Sequence, residues 1–323
     1  MNVVGIDVGA SAIKFGVYSD LGHEIHAAEE ETVRSYAGLL VQLQDIAARA
    51  QRDHGVAALG VGVPGFISLD DRVIERSPNL RFLDGSPLEK DLAAAARLPL
   101  CVENDANAAA LGEFLALSEP RPASFVHLTL GSGIGSGIIL DGRIYRGAGG
   151  FAAELGHLLV NSQGRSCGCG NHGCAETESS AAGIVKSYQE FACSPLPLSS
   201  RDVFTLLQRG DEYARRAFQR AGVFLGVLFS QIVYALNPER ISVGGGVAAA
   251  GEVLLASARE ELARRVTAKA YAGTLIEPAR LGNAAGMAGA AALARRMLPP
   301  GPTGPGRRSP HGPSSRPSGV GRP

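Results

Sequence analysis

Net charge is the first thing this chain lacks: 31 basic and 31 acidic residues cancel over 323 positions. With no cationic excess to hold a polyanion by counterion release, nucleic acid is a poor default partner. The chain also lacks an apolar run of the roughly 18 residues that a membrane-spanning helix needs. Its best candidate, FLGVLFSQIVYAL, is interrupted by Ser230 and Gln231 and keeps helical periodicity. At the N-terminus, MNVVGIDVGASAIKFGVY has no basic leader and carries Asp7 inside its apolar stretch. That reads as a first strand and not as an export signal, so a cytoplasmic setting and no membrane partner are expected. A Walker P-loop is missing too, because no glycine turn runs on into Gly-Lys-Ser/Thr.

What is present is a globular composition, 45% hydrophobic, with length enough for two domains and sizeable cores. The first segment reads strand, glycine-containing turn, strand, turn at SDLG, strand. A helical stretch follows, with apolar positions at Leu39, Leu40, Leu43, Ile46 and Ala47. FVHLTLGSGIGSGIILDGRI repeats that opening plan, weakly in letters but closely in layout, which predicts a duplicated α/β unit. AALGVGV, LPLCVEN and RISVGGG are apolar throughout, as strands covered by helices on both faces should be. Each is expected to lead through a turn into a helix, the βαβ habit of a mainly parallel sheet. Residues 299–323 hold eight prolines, six glycines and four arginines with no acid, a composition that cannot bury a core and predicts a disordered tail.

The stretch SCGCGNHGCAE packs three of the five cysteines into eight positions. In a reducing compartment, clustered thiols point to metal or redox chemistry before disulfides. With His157 they form H-x9-C-x-C-x4-C, so His157, Cys167, Cys169 and Cys174 supply the four ligands of a closed tetrahedral zinc site. The plainer alternative is reduced cysteines in a glycine-rich loop. Cys101 and Cys193 each stand alone and read as small hydrophobes.

Two small-residue turns, DVGAS at 7–11 and GSGIGSG at 131–137, follow apolar strands. There backbone N–H groups could approach an anion without side-chain obstruction, phosphate being the natural guest. Taken singly, either could equally be an ordinary hairpin. NPERISVGGGVAAAGEVLL reads strand, triple glycine, helix, and its bare backbone could accept an adenosine. Glu103, Asn104 and Asp105 end a buried strand and open an alanine-rich helix. Capping explains one of them, but the carboxyl ends of strands are also where open α/β sheets bind ligands. Glu154 and Glu176 flank the cysteine cluster, and acids and amides converging on a metal-braced loop suit the hydroxyls of a polyol. For Glu154 a solvated surface position is the alternative.

ENDANAAALGE, TLGSGIGSGIILDGRIYRGAGG, AELGH, CGCGNHGCAE, NPERISVGGGV and LGNAAGMAGAAALA together resemble the signatures of the ROK family of sugar kinases and repressors, particularly its bacterial glucokinases. The resemblance spans residues 3 to about 297. It implies a duplicated ribonuclease-H-like fold, as in actin, sugar kinases and Hsp70-like ATPases, with two domains and an interdomain cleft. The implied division is a small N-terminal domain, 1–115, completed by about 284–298, and a larger one, 116–283, carrying the zinc loop. It further implies a hexose kinase using ATP and Mg2+ with structural Zn2+, in a homodimer or homotetramer.

By resemblance Asp105 is the catalytic base, and Asn79, Asn104, Asp105, Glu154, His157 and Glu176 contact the sugar. Asp7, Gly9, Ser11, Gly131, Ser132, Gly133, Gly135, Gly137, Gly244 and Gly245 hold the nucleotide and magnesium, and the zinc ligands are the four already named. Glucose is the first-choice substrate, with N-acetylmannosamine, N-acetylglucosamine, fructose and allose open. The rival class is a sugar-responsive ROK regulator, which normally carries a helix-turn-helix domain ahead of this one; a first strand at residue 3 leaves that domain no room. The chain departs from the family pattern at Ala10, Ser11 and Ala12, where Gly-Thr-Lys is common. It departs again at Ala153, where glycine is common, and at Ala284, where an acid is common.

Overall fold

The computed structural model describes residues 1–193 and 196–299; the tail expected over 299–323 lies, from residue 300 onward, outside the described residues. The chain opens with β1 (Asn2–Val8), β2 (Ala12–Tyr18), β3 (Glu24–Glu31), α1 (Tyr36–His54) and β4 (Val56–Val63). A short ribbon, β5 (Phe66–Ile67) and β6 (Ile74–Arg76), precedes α2 (Leu88–Ala96), β7 (Leu100–Asn104) and α3 (Asp105–Leu115). The second half runs β8 (Ser124–Leu130), β9 (Ile134–Leu140), β10 (Arg143–Ile144), α4 (Ala175–Ser179), α5 (Ala181–Ala192), α6 (Ser200–Gln208) and α7 (Glu212–Leu236). It ends with β11 (Arg240–Gly244), α8 (Glu252–Arg265), α9 (Ala268–Ala272), β12 (Leu275–Pro278) and α10 (Ala285–Arg296).

Two five-stranded sheets share one topology. The orders β3-β2-β1-β4-β7 and β10-β9-β8-β11-β12 each join three antiparallel strands to two parallel ones, so the duplicated unit is real. Burial explains the apolar runs. In β1, Val4, Ile6 and Val8 pack in the cluster that holds Leu39, Leu43 and Ile46 of α1, while Val3 packs with Met287 and Ala291 of α10. The period of two along a strand therefore puts Asp7 on the α10 face. Two strands lead to their helices less directly than their sequence implies. β4 is followed by the β5–β6 ribbon before α2, and β11 by a single-turn 3-10 segment, Gly246–Ala250, before α8.

The ends of α1 show local chemistry at work. Ser35 accepts a hydrogen bond from the Gly38 N–H at its start, and Gly55, at φ 63°, closes it with an N–H to Gln51 O. α7 is long and apolar enough to cross a membrane by length and composition, but it packs against α5 and α8 and buries Phe218, Leu225, Phe229 and Ile232.

The two halves meet through a pair of helices. α3 packs on β8 and β9, α10 packs on β1 and β4, and α3 and α10 pack on each other. Glycines make this close approach possible: a Cβ at Gly60 would overlap the Ala290 carbonyl, and one at Gly289 the Ala108 carbonyl. Both helices thus begin at the seam between the sheets.

Candidate active site

A cavity of about 150 Å³ opens at that seam, lined by Asp7, Lys14, Asp105, Ala106, His127, Thr129, Gly245 and the 282–286 segment leading into α10. The first turns of α3 and α10 both border it, and a helix N-terminus presents free N–H groups and positive potential to an anion. Asp7 is the last residue but one of β1, and its register partner on β2 is Lys14, so the two side chains share a face. Burial first, then the charge of Asp105, pushes the Asp7 carboxyl up to about 7 against the opposing pull of Lys14. Asp105 is raised as well, by burial, although its own carboxylate accepts a hydrogen bond from the Ala106 N–H. Two carboxyls, both raised by burial, lie with a lysine and two helix starts on one cavity, a set of groups that suits a phosphate and a cation.

The cap of α3 is Asn104, whose Oδ1 accepts from the Asn107 N–H at 3.0 Å, so Asp105 is left free of that duty. The other end of the Asn104 amide donates to Gly65 O at 3.0 Å. Ser77 donates to the adjacent Pro64 O at 2.6 Å, so the loop that carries the exposed Asn79 is tied to the same segment as Asn104. Glu103, part of the acid–amide run, has a specific task of its own. Buried at 5% exposure, it accepts from Asn107 Nδ2 at 3.1 Å and from Arg146 Nε at 2.7 Å, joining the start of α3 to the segment beyond β10.

The glycines divide by role. Gly131, Ser132 and Gly133 form the turn between β8 and β9, closed by the Gly131 N–H to Gly133 O. Gly135 and Gly137 lie within β9 and not in that turn. A Cβ at Gly137 would fall 2.5 Å from the Ala110 Cβ, so what they supply is room for α3. Gly245 lines the cavity at φ 84°, whereas Gly244 lies under the His127 ring. Gly9 closes the β1–β2 turn through its N–H to Ala12 O, leaving Ser11 exposed at the tip. Ala10 packs on the first core, and Ala284 starts α10 without a side-chain cap. Outside the Ser132 turn a second hollow of about 410 Å³ runs between α5 and the start of α6, with Lys186 on its wall.

His157, Cys167, Cys169 and Cys174 converge: one ligand atom from each lies within 4.8 Å of all the others. Cys169 Sγ and Cys174 Sγ are 3.7 Å apart, and His157 Nδ1 is 3.6 Å from Cys167 Sγ. With metal–sulfur bonds of about 2.3 Å and metal–nitrogen bonds of about 2.0 Å, tetrahedral ligands stand roughly 3.5–3.8 Å apart, so the donor set fits. Cys101 is half-buried with its thiol pushed up to about 12 by burial, but Cys193 is exposed, unlike the buried thiol its sequence implies.

The other ring nitrogen of His157 faces Glu154, with Nε2 to Oε2 at 3.9 Å. Glu154 keeps 42% of its side chain exposed, yet lost solvation at the cleft wall, then Asp105 and Glu176, raise it to about 7. Glu176 reaches the end of the β8–β9 turn, accepting from the Ile134 N–H at 3.0 Å. A buried network braces the loop from behind. Glu178, with no exposure, accepts from Arg165 and from Asn161, both at 3.1 Å.

Lys14, His127, Thr129 and Arg146 are the site residues that sequence reading did not assign. The register of β1 and β2 brings Lys14 beside Asp7; Thr129 and Arg146 lie inside the quoted TLGSGIGSGIILDGRIYRGAGG segment without a role of their own, and His127 sits in an apolar strand just ahead of it.

These elements define a two-lobed phosphotransferase-like fold with a phosphate-sized cavity at its seam. The ROK family pattern matches residues 3–297, and the chain belongs to the ROK family. A glucokinase of Halalkalibacterium halodurans is 33% identical over 91% of this chain and 95% of its own length. The solved structure of a ROK family glucokinase from Streptomyces griseus, in complex with glucose and AMPPNP, superposes with a TM-score of 0.80 at 29% identity, covering 92% of this chain and all of that one. A xylose repressor of Bacillus subtilis is 29% identical over 86% of this chain and 73% of the repressor.

Proposed function

We propose that this chain is an ATP-dependent hexose kinase, with the 6-hydroxyl of glucose as its acceptor. The observation that carries the reading is Asp105: a carboxylate at the start of α3, released from capping by Asn104, in the cavity that also holds Asp7 and Lys14. The likeness to glucokinases, one of them solved with glucose and a nucleotide analogue, supports the substrate choice.

In this reading Asp105 takes the proton of the sugar hydroxyl as that oxygen bonds to the γ-phosphorus. The bond from the γ-phosphorus to the β,γ-bridging oxygen breaks, and ADP leaves with the electron pair. Burial raises the Asp105 carboxyl above its ordinary value, which makes it a stronger proton acceptor. Lys14 and the starts of α3 and α10 face the phosphates, and the Gly131–Gly133 turn leads outward to the hollow beside Lys186. Magnesium, when bound by Asp7 and the phosphates, supplies charge neutralisation. His157 and the three cysteines suit zinc, and since four protein ligands fill a tetrahedral ion, its work is to hold Glu154 and Glu176 toward the sugar. Residues 1–115 with 284–298, and 116–283, are the two lobes between which the substrates would sit.

The repressor likeness sustains a second reading, a sugar-responsive regulator that binds without turnover. A panel of glucose, fructose, allose, N-acetylglucosamine and N-acetylmannosamine, each with ATP and Mg2+ and monitored for ADP release, separates the two. Sugar-dependent ADP release strongest with glucose is expected. Sugar binding with no ADP release across the panel would sink the kinase reading and leave the regulator.

A further inference from the structure

His127 has no assigned task, yet it is a buried polar group on the wall of the phosphate cavity. It stands on β8 at 2% exposure, two residues from Thr129 and on the same face. Its Nδ1 lies 3.3 Å from Ser242 Oγ on the neighbouring strand β11. Among the described residues that hydroxyl has no other partner; when it donates to Nδ1, the neutral ring carries its own proton on Nε2. Nε2 has no protein partner among the described residues. The ring lies over Gly244, where a Cβ would come 3.1 Å from Cε1, so a side chain there would crowd the imidazole. Nε2 is not among the enclosed unpartnered atoms of the described residues, so it opens to the cavity that His127 lines, where a ligand oxygen can reach it.

We infer that His127 is a nucleotide-binding residue, its Nε2–H donating to a phosphoryl oxygen of the bound triphosphate. The inference rests on the kinase reading, and it concerns the side of the cavity opposite Asp7 and Lys14. Those two belong to the first sheet, whereas His127 with Thr129 belongs to the second, so the donor reaches the phosphates from the other lobe. Burial also pushes the imidazole down to about 4, so at neutral pH it enters the site as an uncharged donor and adds no cation beside Lys14.

Two substitutions separate this from a wall residue that only pairs with Ser242. In His127→Asn the amide oxygen occupies the Nδ1 position and can keep accepting from Ser242, but the side chain cannot reach the cavity. In His127→Gln the amide nitrogen reaches the Nε2 position. Calorimetric titration with Mg2+ and a non-hydrolysable ATP analogue should show the Asn variant weakened by roughly ten- to a hundredfold, the value of one hydrogen bond to a charged group. The Gln variant should recover most of that affinity, and glucose affinity should stay level in both. If the Asn variant does not fold, His127→Phe, which fills the ring's space without a donor, replaces it in the comparison. Analogue affinity equal to wild type in the donor-less variant would overturn the assignment, whatever the melting temperature does. A wild-type protein that binds glucose but not the analogue would instead overturn the kinase reading beneath it.

Discussion

The Glu176 carboxylate accepts the Ile134 amide proton at 3.0 Å, and through that bond the cysteine loop is tied to the turn between β8 and β9. Two elements 42 residues apart in sequence, which the proposed function assigns to sugar and nucleotide, therefore share one support. Cys169→Ser should remove about one zinc per chain by elemental analysis and raise the KM for sugar by roughly ten- to a hundredfold, as loss of metal-site support usually does. Because Glu176 also steadies Ile134, the KM for ATP should rise too, by a smaller factor. Zinc-free protein with wild-type KM values would refute the supporting role.

Asp105→Asn keeps size and shape but cannot take a proton, so kcat should fall by about 10²- to 10⁴-fold with sugar binding largely retained. Asn104, not Asp105, caps α3, so the melting temperature should not drop. A variant with near-normal kcat and a lower melting temperature would return Asp105 to a structural role.

Ala153 sits at φ 71°, in the left-handed region, directly before Glu154, and is buried with its carbonyl held by Ser136 Oγ. A Cβ there is strained, by about 1–2 kcal/mol. Glycine relieves this at an entropic cost of about 0.5–1 kcal/mol, so Ala153→Gly should be stabilising by about 1 kcal/mol or less. Denaturant unfolding measures it; a clear loss of stability would show that the Ala153 methyl contributes more to packing than its backbone costs.

Asp7 has an ordinary value of 3.8 and a folded one of about 7, so between those limits the folded protein binds more protons than the unfolded chain. Its contribution to stability is present below about pH 4 and is lost as pH rises through 7. In metal-free, nucleotide-free protein, Asp7→Asn should therefore melt above wild type at pH 8, with the gap narrowing toward pH 5. Magnesium needs the ionised carboxylate, so wild-type Mg2+–ATP affinity should increase from pH 6 to 8, an increase that Asp7→Asn should lack. Melting curves for the two proteins with a constant offset at all pH values would count against this account.

Much of the molecule was legible as a string. The repeated strand–turn–strand plan, the helical spacing of Leu39, Leu43 and Ile46 and the H-x9-C-x-C-x4-C ligand set are local patterns, written by periodicity and by the short reach of a metal site. Composition alone does not place Arg146 on Glu103, Glu176 on Ile134 or His127 beside Ser242, because those pairs join segments 43, 42 and 115 residues apart. Nor could spacing separate Gly131 and Gly133, which shape a turn, from Gly135 and Gly137, which make room for α3. Local chemistry along the chain determined which elements form and which residues can bind metal. Only the packing of α3 and α10 at the seam decided which carboxylates share a cavity, since that depends on helix approach across two sheets and leaves no period in the sequence.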